Sequence, residues 1–193
     1  MGNERNMRQV RTAASDFQTR AEENGDLYIE GYFAVFNSDY EIFPGATESI
    51  ANTAFDDTLD EDIRCLIDHD TRLVLGRNRA GTLQLSVDGH GLWGKVKINP
   101  RDQDAMNLYE RVKRHDVDQC SFGFEILDEE FEQRGENVHW TIRKVRLHEV
   151  TVATFPAYVE TSVSARKAQL SEIKKRSFEA WQQKMINKLK GKG

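Results

Sequence analysis

The chain has 193 residues, 38% of them hydrophobic and 31% charged, with a net charge of −5. That length and apolar content support one domain with a real core plus some tail. Two cysteines make no disulfide framework, and no apolar run approaches the ~18 residues of a membrane span. The polar N-terminus is not a secretion signal, so a soluble protein of a reducing cytoplasm is expected. The charge is uneven. Residues 166–193 carry nine Lys/Arg against Glu172 and Glu179, a net +7, which leaves −12 on residues 1–165. A basic tail on an acidic body suggests separate work for the tail, and the acidic body argues against nucleic acid as the main ligand.

In chain order, residues 1–24 are polar with little periodicity, and 1–19 are assigned to a flexible arm in which Val10 to Phe17 could add a short edge strand. From Leu27, LYIEGYFAVFN has the β-branched and aromatic content of a strand. Residues 38–46, ending in Pro44-Gly45, read as a loop. Ile50, Ala54, Phe55 and Leu59 then recur at helical spacing, which predicts a short amphipathic helix capped by Ser49 or Asn52. IRCLIDHD predicts a strand delivering Asp68-His69-Asp70 at its end. LVLGR and AGTLQLSVDGHGLWGKVKIN supply three more short strands between glycine-containing turns, a spacing that points to an antiparallel barrel or sandwich.

Asn99-Pro100 opens a helix, with Asp102 and Asp104 at its start and Ala105, Leu108, Tyr109 and Val112 as the buried stripe. CSFGFEI follows in strict period two: Phe122, Phe124 and Ile126 face a core, and Ser121, Gly123 and Glu125 share the other, open face. Residues 128–137 read as a hairpin tip, VHWTIRKVRLHEVTVATFPAY as one or two strands ended by Pro156, and 170–190 as an amphipathic basic helix with Ile173, Trp181, Met185 and Leu189 on one face. No internal repeat is present.

Five scattered histidines lack metal-ligand spacing, and adjacent residues of Asp68-His69-Asp70 point to opposite strand faces, so no metal is expected. No glycine-rich loop opens a helix, and no cofactor is implied. Nucleophilic hydrolysis remains. It needs a hydroxyl, an imidazole to take its proton and a third group to orient the imidazole. Ser121, His69, and Glu149 or His148 offer those groups. Glu149 sits in a mostly apolar run, where a carboxylate without a partner would be costly. Cys120 is read as a buried small hydrophobe, and Arg77 as pairing with an acid or holding a loop.

The series LIDHD, VLGR, AGTLQL, DGHGLWGKVKI, CSFGFEI and LHEVTVATFPAYVET, from Leu66 to about Arg166, resembles the prohead proteases of tailed bacteriophages. That family is similar to the herpesvirus assembly proteases. The resemblance implies an α+β protease domain over 20–166, a mostly antiparallel β-barrel surrounded by a few helices, followed by a basic helical tail over 167–193. It implies a serine endopeptidase acting inside the procapsid in the host cytoplasm, with Ser121 as nucleophile, His69 as general base and Glu149 as the orienting acid. His148 is the rival third group, pointing to the face opposite Glu149 if the strand is regular. Scaffold, the N-terminal part of the major capsid protein and the chain itself are the implied substrates, with self-association also implied. Neither nucleic acid nor membrane is an expected partner. The arginine-rich loop that serves the oxyanion in the herpesvirus enzymes is replaced here by Phe155-Pro156-Ala157-Tyr158, so no oxyanion donors carry over. The alternative is a non-catalytic scaffolding or capsid-binding protein on the same fold.

Overall fold

The structure, a computed structural model, describes residues 8–155 and 160–190. The chain divides into two compact units, 1–158 and 159–193. The first is built from eleven described strands and one α-helix, and the second from a single helix. The class is mixed α+β, mostly strand. The described strands form two sheets, and they do not close into the single barrel expected from the resemblance.

The larger sheet has seven strands. β1 (Gln9–Ala14) pairs with β10 (Gln119–Arg134), and β10 pairs with β11 (Asn137–Ala153). The far edge of β11 is shared by two partners in succession. Its first part runs parallel to β5 (Ala46–Ile50), which carries β4 (Tyr40–Phe43), and its last part runs parallel to β6 (Arg64–Ile67), which carries β7 (Asp70–Arg77). The smaller sheet is β2 (Gln18–Ala21), β3 (Leu27–Val35), β9 (Gly91–Ile98) and β8 (Leu83–Val87), all antiparallel. Ile29, Phe33, Leu92 and Val96 from this sheet share one core with Phe122, Phe124, Leu147 and Val150 from the larger one. α1 (Gln103–Lys113) adds its expected stripe, Ala105, Leu108, Tyr109 and Val112, all buried.

Several local expectations change. The loop expected over 38–46 instead holds β4 and the turn that joins it to β5 as a hairpin. Pro44-Gly45 is its two-residue turn: proline presets the first position, and Gly45, at φ 82, supplies the positive φ of the second. The short helix predicted around Phe55 is instead a run of tight turns. Its amides bond three residues back, Ala54 to Ala51 and Thr58 to Phe55, because β5 claims the residues that would have opened the helix. Buried Ala54, Phe55 and Thr58 pin the run to the core, and Thr58 Oγ1 accepts the Leu147 amide at 2.8 Å. α1 starts three residues later than Asn99-Pro100 implied. Asn99 closes a turn, and Asp102 is the cap, accepting from the amides of Asp104 and Ala105.

The charged stretch 128–137 continues the β10–β11 ladder to a turn at Gly135 and Glu136. The second unit is α2 (Glu160–Lys190), longer toward its N-terminus than the 170–190 expected. Thr161, Ser162, Val163 and Ser164 are weak helix formers, but a ladder propagates cheaply from the Lys-, Gln- and Leu-rich turns that follow. Phe178, Trp181, Met185 and Ile186 are exposed on it. The Leu189 side chain and Pro156 lie outside the described residues. No described helix is long and apolar enough to cross a membrane.

The pairing of β3 with β9 sets one stability prediction. A Cβ on Gly91 would lie 2.0 Å from the Ala34 carbonyl oxygen, and that backbone is held by a bulge in β3. Gly91→Ala is therefore expected to destabilise the fold by about 1–3 kcal/mol, read as a lower urea midpoint at unchanged m-value.

Candidate active site

β10 and β11 carry the site, and β6 delivers the histidine to it. Ser121 lies opposite Thr151 on β11 and opposite Thr12 on β1. Directly opposed residues share a face, so these three side chains stand together. One step along, Gly123 lies opposite Glu149. A Cβ on Gly123 would fall 2.6 Å from Glu149 Oε1, so glycine's lack of a side chain leaves space for the carboxylate.

His69 comes from the turn between β6 and β7. Ile67 pairs with Asp70, which leaves Asp68-His69 as a two-residue hairpin turn with both φ positive, 47 and 60. That is the primed geometry favoured by the twist of a hairpin, and it is costly for non-glycine residues. Asp68 compensates by holding the far end of β11, its carboxylate accepting from Thr154 N at 2.6 Å and Thr154 Oγ1 at 2.9 Å. The three residues expected at this strand end thus go to three different partners. Asp68 bonds Thr154, His69 bonds Glu149, and Asp70 pairs with Arg72, which holds its carboxyl at about 2.

His69 Nδ1 lies 2.7 Å from Glu149 Oε1. An ionised carboxylate only accepts, so Nδ1 carries a proton, and in the neutral ring Nε2 keeps its lone pair. That Nε2 is buried and has no hydrogen-bond partner among the described residues. Glu149 also accepts from Arg8 and from Thr151. Burial pushes its carboxyl up, but the hydrogen bonds from His69 and Thr151, with the charges of His69 and Arg8, outweigh burial and hold it below the ordinary value. The stability this provides is present above the carboxyl's unfolded value and is lost as pH falls through the lower folded one.

His148 makes no hydrogen bond to His69 among the described residues. The β10–β11 register slips between Gly123 and Phe124, which leaves His148 as the extra residue of a bulge. Its Nε2 lies 3.2 Å from Glu125 Oε1 on the Ser121–Gly123–Glu125 face. The regular alternation expected for His148 and Glu149 is therefore broken, and contact rather than alternation separates their roles. Arg8, Arg64, Leu66, Thr71, His148 and Glu149 line a cleft of about 290 Å³ that opens onto the carboxylate from solvent.

Ser121 is not on an open face. It is fully buried, with β1 paired beside it in the sheet; it donates to the Arg11 carbonyl at 2.9 Å, and Thr12 Oγ1 lies 3.3 Å from its Oγ. No hydrogen bond joins it to His69 among the described residues. Cys120 is buried on the opposite face, as expected, with its thiol against the Phe33 carbonyl. Arg77 pairs with Asp62 through two bonds of 2.6 and 2.7 Å, which hold the Asp62 carboxyl at about 2. Sequence reasoning missed Thr151, although its i+2 spacing from Glu149 was legible on a strand. It also missed Arg8, Arg11 and Thr12: the edge strand foreseen between Val10 and Phe17 forms as β1, inside the stretch 1–19 assigned to a flexible arm, but its polar residues gave no sign of where it would pair. Residues 156–158 of the loop expected near the oxyanion lie outside the described residues.

Comparison with known proteins supplies the family. Among curated proteins none matches the chain. Among solved structures, the bacteriophage T4 capsid assembly protease, gp21, is similar at a TM-score of 0.49 and 10% identity, over 77% of this chain and 99% of that one. The model of the caudovirus prohead serine protease family matches residues 15–176, which takes in both sheets apart from β1, the Asp68-His69 turn, Ser121 and Glu149. The chain belongs to the caudovirus prohead serine protease family.

Proposed function

We propose that Ser121 is the nucleophile of this protease, His69 its general base and Glu149 the group that orients and charges the imidazole. The observation that carries this assignment is the 2.7 Å bond from His69 Nδ1 to a buried carboxylate, with Nε2 left without a partner among the described residues. Ser121 Oγ adds to the peptide carbonyl carbon while its proton passes to Nε2. Collapse of the adduct breaks the C–N bond, and His69 returns the proton to the leaving amine. Water, deprotonated by His69 in turn, then releases the new carboxylate. Glu149 stays ionised throughout and stabilises the imidazolium.

In this reading the protease works in phage head maturation, inside the procapsid. It cuts scaffold or the N-terminal part of the major capsid protein, and itself. Mass spectrometry of the chain co-expressed with its capsid protein, wild type beside Ser121→Ala, tests the assignment. Discrete fragments are expected in the wild type and none in the variant. Fragments that persist in Ser121→Ala would remove Ser121 from the mechanism.

A further inference from the structure

β1 is the terminal strand of the larger sheet and, among the described residues, pairs with β10 alone. It can leave without disturbing any other ladder, and its departure would open an edge of β10, the kind of edge that takes up extended peptides. While in place, β1 blocks the chemistry at three points. It fills the β10 edge beside Ser121, its Arg11 carbonyl accepts the hydrogen bond of the Ser121 hydroxyl, and Arg8, the residue before it, shares Glu149 Oε1 with His69. A strand taking the place of β1 would set a carbonyl of its own where the Arg11 carbonyl now accepts from Ser121.

The Arg11 side chain runs to the other face, over the Phe124 ring at 5.5 Å, and meets buried Glu48 through Nε and through Nη2, the latter at 2.9 Å from Oε2. Two hydrogen bonds between a guanidinium and a carboxylate are both strong and geometrically selective. Withdrawing β1 takes that cation from a carboxylate that stays inside the protein, which is strongly unfavourable. A basic side chain on a replacement strand would renew that pairing.

We infer that β1 is a resident ligand in the substrate place along β10, and that Glu48 makes a basic side chain the preferred residue on the carbonyl side of the cut bond. This rests on Ser121 being the nucleophile. The test uses the full chain, wild type and Arg11→Ala, with a fluorophosphonate as the probe of Ser121 and amide hydrogen exchange as the probe of β10. Arg11→Ala is expected to open the β10 edge and to take label at least about tenfold faster than wild type, as the competent fraction rises. A synthetic peptide copying residues 8–15 should then slow labelling of Arg11→Ala, and the same peptide with glutamate in place of its second arginine should not.

Equal, fast labelling of wild type and Arg11→Ala would overturn the resident-ligand role. Equal slowing by the two peptides would overturn the role of Glu48. An opened β10 edge with no label in either protein would instead overturn Ser121 as nucleophile. Should Arg11→Ala fail to fold, Arg11→Lys keeps the charge without the fork, and the same outcomes apply to it.

Discussion

Glu149→Gln is expected to lower kcat/KM for peptide cleavage by about 10³–10⁴ while leaving the protein folded. The carboxylate accepts from three donors at once: His69 Nδ1 and Arg8 at Oε1, and Thr151 Oγ1 at Oε2. A glutamine of the same shape offers one oxygen and one NH₂ group. Either orientation sets an N–H against at least one donor, and the orientation with NH₂ toward His69 favours the tautomer with its proton on Nε2. That tautomer cannot take the Ser121 proton. The neutral amide also no longer stabilises the imidazolium as it forms. Single-turnover cleavage of a capsid-protein peptide measures the loss, and circular dichroism checks the fold. A variant retaining wild-type turnover would remove Glu149 from the catalytic group.

The largest expected effect on stability is that of Phe55→Ala, about 3–5 kcal/mol. Phe55 is fully buried and meets two other rings, Phe36 at 6.0 Å and Phe122 edge-on at 5.7 Å. It also anchors the run of tight turns over residues 51–60, which has no helical ladder to hold it. Removing the ring costs the burial, the aromatic contacts and the cavity left behind. Thermal unfolding should shift down by roughly 10 °C for a unit of this size. Because Phe122 follows Ser121 directly, the same loss should loosen β10, read as faster amide exchange across residues 120–124. A shift of only a degree or two would mean that the turns, and not the ring, hold this segment.

Much of the site is legible in the amino-acid sequence. The alternation of CSFGFEI places Phe122 and Phe124 in the core, sets Ser121 and Gly123 on one face and sends Cys120 to the other, because period two is a property of the strand itself. The stripe of α1 is legible for the same reason at helical spacing. An apolar setting around Glu149 demands a partner, and His69 is that partner, 80 residues away. The helix predicted around Phe55 and the loop predicted ahead of β5 fail for one shared reason. Apolar spacing over a dozen residues fits both a helix and a strand followed by turns, and pairing with β11 decides between them.

What the sequence determined by itself was therefore local: which residues alternate, which cap and which cannot stand alone in an apolar run. Three features were left to the tertiary structure. A bulge of a single residue turned His148 onto the Ser121 face, against the alternation of its neighbours. Two sheets packed on a shared core formed in place of a closed barrel. The edge strand foreseen near the N-terminus was paired beside Ser121, from 109 residues earlier in the chain, a placement its sequence did not indicate. Each depends on backbone pairing between distant segments. Backbone amides and carbonyls are alike at every residue, so the sequence carries little local record of which edges meet.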